Sequence, residues 1–252
     1  MHVILTGATG LVGSGVLDAM IKTKDISKIS ILSRRPVPMV DDAKDPRINV
    51  IIHKNFEQYD SELIEKLKGA HGCVWALGIS QTQVGAEEYV KITKTYAVEA
   101  AKAFRGLASE TEPFNFVYVS GLGATTQPGR FAAIFARVKG ETELALAVLR
   151  KENPNFHTSS VRPAFVDAAS HQAIKPYLPN KPLVNKFLEP LLSPLVRLGI
   201  KSIHSPTDAL GKVLTEIAMG RHKDQFVAGN GIQKIGDFPI LENSALRRLV
   251  GL

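Results

Sequence analysis

The sequence contains a single cysteine, Cys73, which excludes an internal disulfide and any cysteine-based metal cluster. One cysteine fits a reducing compartment. No uninterrupted apolar run reaches the ~18 residues of a membrane span. No basic or hydrophobic leader precedes the apolar start Met1-His2-Val3-Ile4-Leu5, so the expected location is the cytoplasm, with peripheral membrane association left open. The formal charge of +7 is spread along the chain, with Arg34-Arg35 and Arg247-Arg248 as the two exceptions. That dispersion argues against a nucleic-acid partner and leaves room for an anionic small ligand. There is no nucleophile elbow, no His-Glu-x-x-His and no other metal-ligand spacing, so no metal site is expected. The adjacent acids Asp41-Asp42 and Glu87-Glu88 lie in polar surroundings and read as solvated charges. Neither a linker nor an internal repeat is present.

What remains is a chain able to build a core, 44% hydrophobic and 22% charged. His2–Thr6 reads as a buried strand stopped by Gly7, and Ser14–Lys24 as a helix with Val16, Leu17, Met20 and Ile21 on one face. Further strands are expected at Lys28–Ser33, Ile48–His53, His71–Leu77, Phe114–Ser120 and Phe156–Arg162. Helices are expected at Asp60–Lys68, capped by Asp60 or Ser61, at Ala86–Phe104 and at Pro128–Arg150. Pro36, Pro38 and Asp41–Pro46 read as a loop. This alternation over about two thirds of the chain predicts an α/β fold, a Rossmann-type doubly wound parallel sheet with helices on both faces.

After Pro163 the pattern changes to a Pro-rich loop at Ala173–Pro182, an apolar stretch at Leu183–Ile200, a helix at Pro206–Met219, a last strand at Gln225–Ala228 and a closing helix at Leu241–Val250. The whole chain, 1–252, is expected to be one NAD(P)-binding domain, with 164–252 contributing a small C-terminal substrate cap. Within the cap, Leu183–Leu198 carries many large apolar side chains. It reads first as cover for the sheet, next as the wall of an apolar pocket and last as a membrane or partner surface.

Gly7, Gly10 and Gly13 are spaced G-x-x-G-x-x-G between a predicted strand and a predicted helix. A helix N-terminus offers unpaired N–H groups and partial positive charge, and a pyrophosphate can use them only if the backbone comes close. Gly7, Thr9, Gly10, Leu11, Val12 and Gly13 are therefore the expected dinucleotide cradle. The second strand ends Leu32-Ser33-Arg34-Arg35, without the acid that would bond the 2′-hydroxyl of NAD. Arg34 and Arg35 could instead pair with a 2′-phosphate, which points to NADP(H).

The residues Thr6–Gly13, Ser33-Arg34-Arg35, Tyr89–Tyr96, Val138-Lys139-Gly140-Glu141-Thr142-Glu143, Arg162-Pro163 and Leu241-Glu242-Asn243-Ser244-Ala245 together resemble an atypical branch of the short-chain dehydrogenase/reductase superfamily. More closely, they resemble the Tat-interacting oxidoreductase-like subgroup and its fungal relatives. The likeness runs over nearly the whole chain. It implies an oxidoreductase using a Ser and a Tyr-x-x-x-Lys pair: Ser120 as the serine and Lys139 as the lysine, both catalytic, with Lys139 also holding the coenzyme's ribose. The residue four before Lys139 is Phe135, so the catalytic tyrosine is missing. Tyr118, Tyr96, Tyr177, His171, His204, Lys139 itself and solvent stay open as proton sources. The resemblance thus implies an NADPH-dependent reductase of a hydrophobic small molecule (carbonyl, imine or conjugated C=C) with a non-standard proton donor. The alternatives are a non-catalytic NADPH-binding regulatory or interaction protein, or a non-redox catalyst on the same fold. The two long helices also leave room for a homodimer.

Overall fold

The computed structural model describes residues 1–178 and 201–252; the apolar stretch Leu183–Leu198 lies outside the described residues. Ten strands alternate with helices: β1 (His2–Thr6), α1 (Leu11–Lys22), β2 (Lys28–Ser33), α2 (Pro38–Ala43), β3 (Ile48–Ile52), α3 (Ser61–Leu67), β4 (Ala70–Trp75), α4 (Ala86–Val90), α5 (Tyr96–Phe104), β5 (Phe114–Val119), α6 (Ile134–Glu152), β6 (Phe156–Arg162), β7 (Phe165–Asp167), β8 (His204–Pro206), α7 (Thr207–Ala218), β9 (Ile232–Ile235), β10 (Phe238–Glu242) and α8 (Asn243–Leu249). The main sheet runs β3-β2-β1-β4-β5-β6-β10-β9, parallel except for β9, while β7 and β8 pair separately. This is the expected Rossmann-type α/β architecture. The strand order reverses between β1 and β4, which opens a crevice beyond their carboxyl ends.

The strands are apolar on both sides because both faces are covered. One face packs Val3, Leu5, Ile31 and Val117 against Val16 and Met20 of α1 and Leu210, Val213 and Ile217 of α7. There α1 and α7 meet backbone to backbone: a Cβ on Gly211 would lie 2.2 Å from the Gly15 carbonyl oxygen. The other face is aromatic. Trp75 stacks on Phe116 at 6.0 Å and Phe114 on Phe156 at 5.9 Å, beneath α3, α5 and α6.

Several expectations change at the element boundaries. Asp60 does cap α3, accepting from the Leu63 N–H at 2.8 Å. The segment read as a loop around Pro38 contains α2, because Pro38 stands in the first turn, where no N–H is needed. The helix expected from Pro128 begins only at Ile134. The expected Ala86–Phe104 helix widens into a π turn at Lys91–Thr95, where the Thr93 carbonyl accepts from the Tyr118 hydroxyl at 3.3 Å. No strand forms at 225–228; the chain instead makes the β9–β10 hairpin, and α8 starts at Asn243 rather than Leu241. Pro239 hides β10, since proline argues against an inner strand. It is tolerated because β10 bonds β6 only from Ile240 onward. Part of the region read as a cap thus extends the main sheet.

At the amino end of β1, His2 is buried, with Nε2 2.9 Å from Ser30 Oγ. Burial lowers its pKa from 6.5 to about 4, helped by the charges of Lys28, His71 and the amino terminus. The unfolded chain therefore binds this proton first as pH falls, and stability drops between those two values by up to about 3 kcal/mol. Urea titrations of the wild type between pH 7 and 4 should show that loss, and His2→Gln should flatten it. An unchanged acid slope in the variant would refute the assignment.

Candidate functional site

The chain enters the crevice between β1 and α1. Gly7 has φ 71°, and a Cβ there would lie 2.3 Å from the Ala76 carbonyl oxygen beyond β4. A Cβ on Gly13 would lie 2.0 Å from the Gly7 oxygen. Only glycine lets the loop lie this close to the sheet and to the helix. Gly10 differs: its nearest neighbour would be the Gly7 oxygen at 3.2 Å, so its open side faces away from the protein. The turn is closed by Gly10 N–H donating to the Gly7 oxygen and Ser14 N–H donating to the Gly10 oxygen, both at 2.9 Å. Because α1 starts at Leu11, the N–H groups of Leu11, Val12 and Gly13 fall in its first turn, where no helical carbonyl can take them.

Arg34 and Arg35 follow β2, exposed, on the same side as this loop. The Ser33 hydroxyl donates to the Arg35 carbonyl at 2.6 Å and shapes the bend after the strand. The Arg35 guanidinium donates to Thr9 Oγ1 at 3.2 Å. Thr9, Arg35 and the glycine turn therefore form one anion-seeking edge.

Ser120 follows β5, where Tyr118 and Ser120 alternate toward α6. Its hydroxyl is buried and has no hydrogen-bond partner among the described residues. A buried hydroxyl left unpaired is costly, and such an atom in a crevice marks a place for a ligand. The Lys139 ammonium donates to the Ser120 carbonyl at 2.5 Å. Burial pulls its pKa down from 10.5 to about 8, against the raising effect of the Glu143 carboxylate one turn away. Phe135 stands one turn before Lys139, in the first turn of α6. Its ring edge would lie 3.5 Å from a Cβ on Gly123, and its N–H donates to Gln81 Oε1 at 3.1 Å. Gly140 lets the loop after β5 lie directly on α6, since a Cβ there would overlap the Thr125 carbonyl. Ser120, Phe135 and Lys139 are thus brought together beside the crevice.

The other proton-source candidates are engaged elsewhere. Tyr118 is buried with its hydroxyl on Thr93, and burial raises its pKa. His171 is held between Asp18 at 2.9 Å and Thr207 at 3.0 Å, on the α1–α7 side. His204 lies 3.0 Å from Asp167. The Tyr177 hydroxyl donates to Asp42 at 2.6 Å, so Asp42 is not the free surface charge its neighbours suggested. Tyr96 packs 5.8 Å from Phe56. Lys139 is the candidate that lies beside Ser120.

Sequence reading missed one functional arrangement. Glu143, wholly buried, accepts from Arg162 Nε at 3.0 Å, Arg162 Nη2 at 2.5 Å and the Ser160 hydroxyl at 2.8 Å. Arg162 also donates to Glu242 at 2.8 Å. Next to Glu242, Asn243 accepts from the Ser205 hydroxyl at 2.6 Å and donates to the Ser202 carbonyl at 2.6 Å. Three separated motifs, V-K-G-E-x-E, R-P and L-E-N-x-A, therefore meet in one buried network. The clue was an acid and an arginine placed where the surrounding pattern is apolar.

No family model matches the chain. The leucinostatins biosynthesis cluster protein T of Purpureocillium lilacinum is 37% identical over 248 residues, covering 91% of this chain and 89% of that one. The botcinic acid biosynthesis cluster B protein 16 of Botryotinia fuckeliana is 41% identical over 157 residues, 62% of this chain and 99% of that one. The protein fmp52, mitochondrial, of Emericella nidulans is 27% identical over 166 residues, 66% of each. Among solved structures, a short chain dehydrogenase/reductase from Saccharomyces cerevisiae superposes with a TM-score of 0.63 at 13% identity, covering 98% of both chains. MoeE5, in complex with UDP-glucuronic acid and NAD, superposes with a TM-score of 0.64 at 12% identity, over 97% of this chain and 76% of that one. The chain belongs to the same family as the leucinostatins biosynthesis cluster protein T, and its fold is that of the short-chain dehydrogenase/reductase structures.

The buried network fixes α6 to the sheet. Removing one partner of a buried ion pair leaves a desolvated charge and costs about 3–5 kcal/mol. Arg162→Ala should lose that much stability in urea unfolding, whereas the exposed Lys151→Ala should change it by less than about 0.5 kcal/mol. Equal effects would show that the network does not hold the helix.

Proposed function

We propose that the protein is an NADPH-dependent reductase of a hydrophobic small molecule, a carbonyl, imine or conjugated alkene, working without the superfamily's tyrosine. The observation that carries this reading is the unpartnered, buried Ser120 hydroxyl set beside the Lys139 ammonium at the crevice. The residues Gly7, Thr9, Gly10, Leu11, Val12 and Gly13 fit a dinucleotide: Gly7 and Gly13 let the loop lie against the sheet and the helix, Gly10 leaves its outer side open, and the N–H groups of Leu11, Val12 and Gly13 fall in the first helical turn. Arg34 and Arg35 would take the 2′-phosphate, and Lys139 the nicotinamide ribose. When bound, that coenzyme supplies the hydride.

The chain's own groups do the rest. Ser120 Oγ donates a hydrogen bond to the substrate's oxygen or nitrogen and steadies the charge that grows there. Lys139, held by the Ser120 carbonyl, is an ammonium at pH 7 and can release a proton, because burial has brought its pKa to about 8. Phe135 keeps the place of the missing phenol filled and dry. The exposed Leu122 and Phe131, on the loop between β5 and α6, offer an apolar rim, which supports a hydrophobic substrate. No helix of the described residues is long and apolar enough to cross a membrane. We retain the cytoplasm as the working location, although the fmp52 relatives are named as mitochondrial. Residues 1–252 are taken as one NAD(P)-binding domain, with 164–252 supplying both a sheet edge and the substrate cap. A homodimer through α5 and α6 is compatible with this reading and is not required by it.

Phe135 favours one other reading, an NADPH-binding regulatory protein without turnover. Single-turnover oxidation of bound NADPH against enones, iminium ions and aldehydes separates the two. The reductase should oxidise NADPH with at least one class, at a rate that falls as pH rises through about 8, as Lys139 loses its proton. Tight NADPH binding with no oxidation by any of them would overturn the reductase and leave the regulatory protein.

Coenzyme choice has its own test. Arg34→Ala combined with Arg35→Ala should weaken NADPH binding at least tenfold more than NADH binding, measured by fluorescence titration. Equal losses would remove the 2′-phosphate assignment.

A further inference from the structure

A cavity of about 970 Å³ opens at the end of the main sheet opposite the glycine loop. It lies where β5 and β6 begin, at Asn115 and His157, between the last turns of α6 and α7 and the β9–β10 hairpin. Nothing in the reductase reading uses it. Its apolar side is formed by Leu144 and Val148, 39% and 54% exposed, with Phe226 and the buried Phe238. Much of the surface of these two aliphatic side chains is left uncovered by the described residues.

The other side is cationic. Arg150 is anchored by donating to the Thr158 carbonyl at 2.8 Å, which leaves the rest of its guanidinium available. Lys151 and Lys223 line the cavity and form no ion pair among the described residues. Arg221, by contrast, is occupied by Asp25 at 2.5 Å. Of the acids on the rim, Asp237 faces Lys234 at 3.9 Å, and Asp224 is the remaining one. Cations therefore outnumber acids around the opening. His157 registers this crowding: its pKa is lowered by burial and then by the charges of Arg150 and Lys223. Asp237 also acts on Arg150, but the cations remain in excess of the acids that face them; like charges in excess repel, and a bound anion relieves the repulsion.

We propose that this cleft binds an amphiphilic organic anion, a carboxylate on an aliphatic chain. Its head sits among Arg150, Lys223 and His157, and its tail lies over Leu144, Val148 and Phe226. The two sides of the cleft supply the two halves of such a ligand: charge complementarity for the head and unburied apolar surface for the tail. The inference stands independently of the reductase reading, because no residue is shared with the crevice.

The test uses the full chain and decanoate as the probe, followed by calorimetry and by the His157 imidazole resonances. One molecule should bind, the His157 pKa should rise on binding, and Lys223→Glu should weaken the affinity at least tenfold while the thermal midpoint stays unchanged. Lys223 is exposed, so the fold does not depend on it. Equal affinity for decanol would reduce the cleft to an apolar groove, and equal affinity for acetate would remove the tail's role. Mutual displacement of decanoate and NADPH would place the probe in the crevice instead. Any of these results, or an unmoved His157, would overturn the proposal.

Discussion

The buried Glu143–Arg162–Glu242 network is the constraint on which the site depends. Glu143 belongs to α6, Arg162 ends β6 and Glu242 ends β10, so three elements far apart in sequence share one set of charges. A buried ion pair is not an efficient source of stability, since desolvation offsets most of the attraction. Its effect is positional. Every oxygen and N–H needs its partner, so α6 cannot slide or rotate on the sheet without leaving a charge unpaired. Lys139 lies one helical turn before Glu143, and the same constraint places its ammonium beneath Ser120. Arg162 also leads into Pro163, whose carbonyl accepts the Leu122 N–H at 2.9 Å and steadies the loop that follows Ser120.

The two faces of the sheet divide the work. On the α1–α7 face, small residues allow close backbone approach, and polar pairs such as Asp18–His171–Thr207 are satisfied internally. On the α5–α6 face, aromatic rings fill the larger volume between sheet and helices. The crevice sits where both faces end at the carboxyl edge. There the glycine loop comes from the first face and the Ser120–Lys139 pair from the second. At the amino edge the same layers diverge, leaving the cationic cleft between the ends of α6 and α7.

Much of this was legible in the sequence. The strands β1 to β5 are largely apolar segments with clear stops, β6 is a more polar one stopped by Pro163, and their alternation with helices admits few arrangements other than a parallel doubly wound sheet. The glycine spacing was legible because Gly7 and Gly13 each answer a separate steric demand of the turn. Ser120 and Lys139 were singled out by the resemblance to the superfamily, and helical spacing set Phe135 on the same face as Lys139. The hairpin β9–β10 was not legible, because Pro239 and the polar Gln233 and Lys234 disguise a strand whose partners lie some eighty residues away in β6. Nor was α2, whose prolines read as a loop. The π turn at Lys91–Thr95 depends on a Tyr118 hydroxyl contributed by another element.

The sequence by itself determined the architecture, the close-packed glycine turn after β1 and the place of Phe135 one turn before Lys139. These rest on local rules: periodicity, backbone sterics and the chemistry of single side chains. Only the tertiary structure decided which polar residues stand at the crevice and which are engaged elsewhere in the fold. His171, His204, Tyr177 and Tyr118 all looked able to move a proton, and each is bound to a structural partner. Lys139 and Ser120 alone among these candidates stand together at the crevice with unused capacity. A side chain's chemistry is written in its formula, but its availability depends on what the fold brings to meet it.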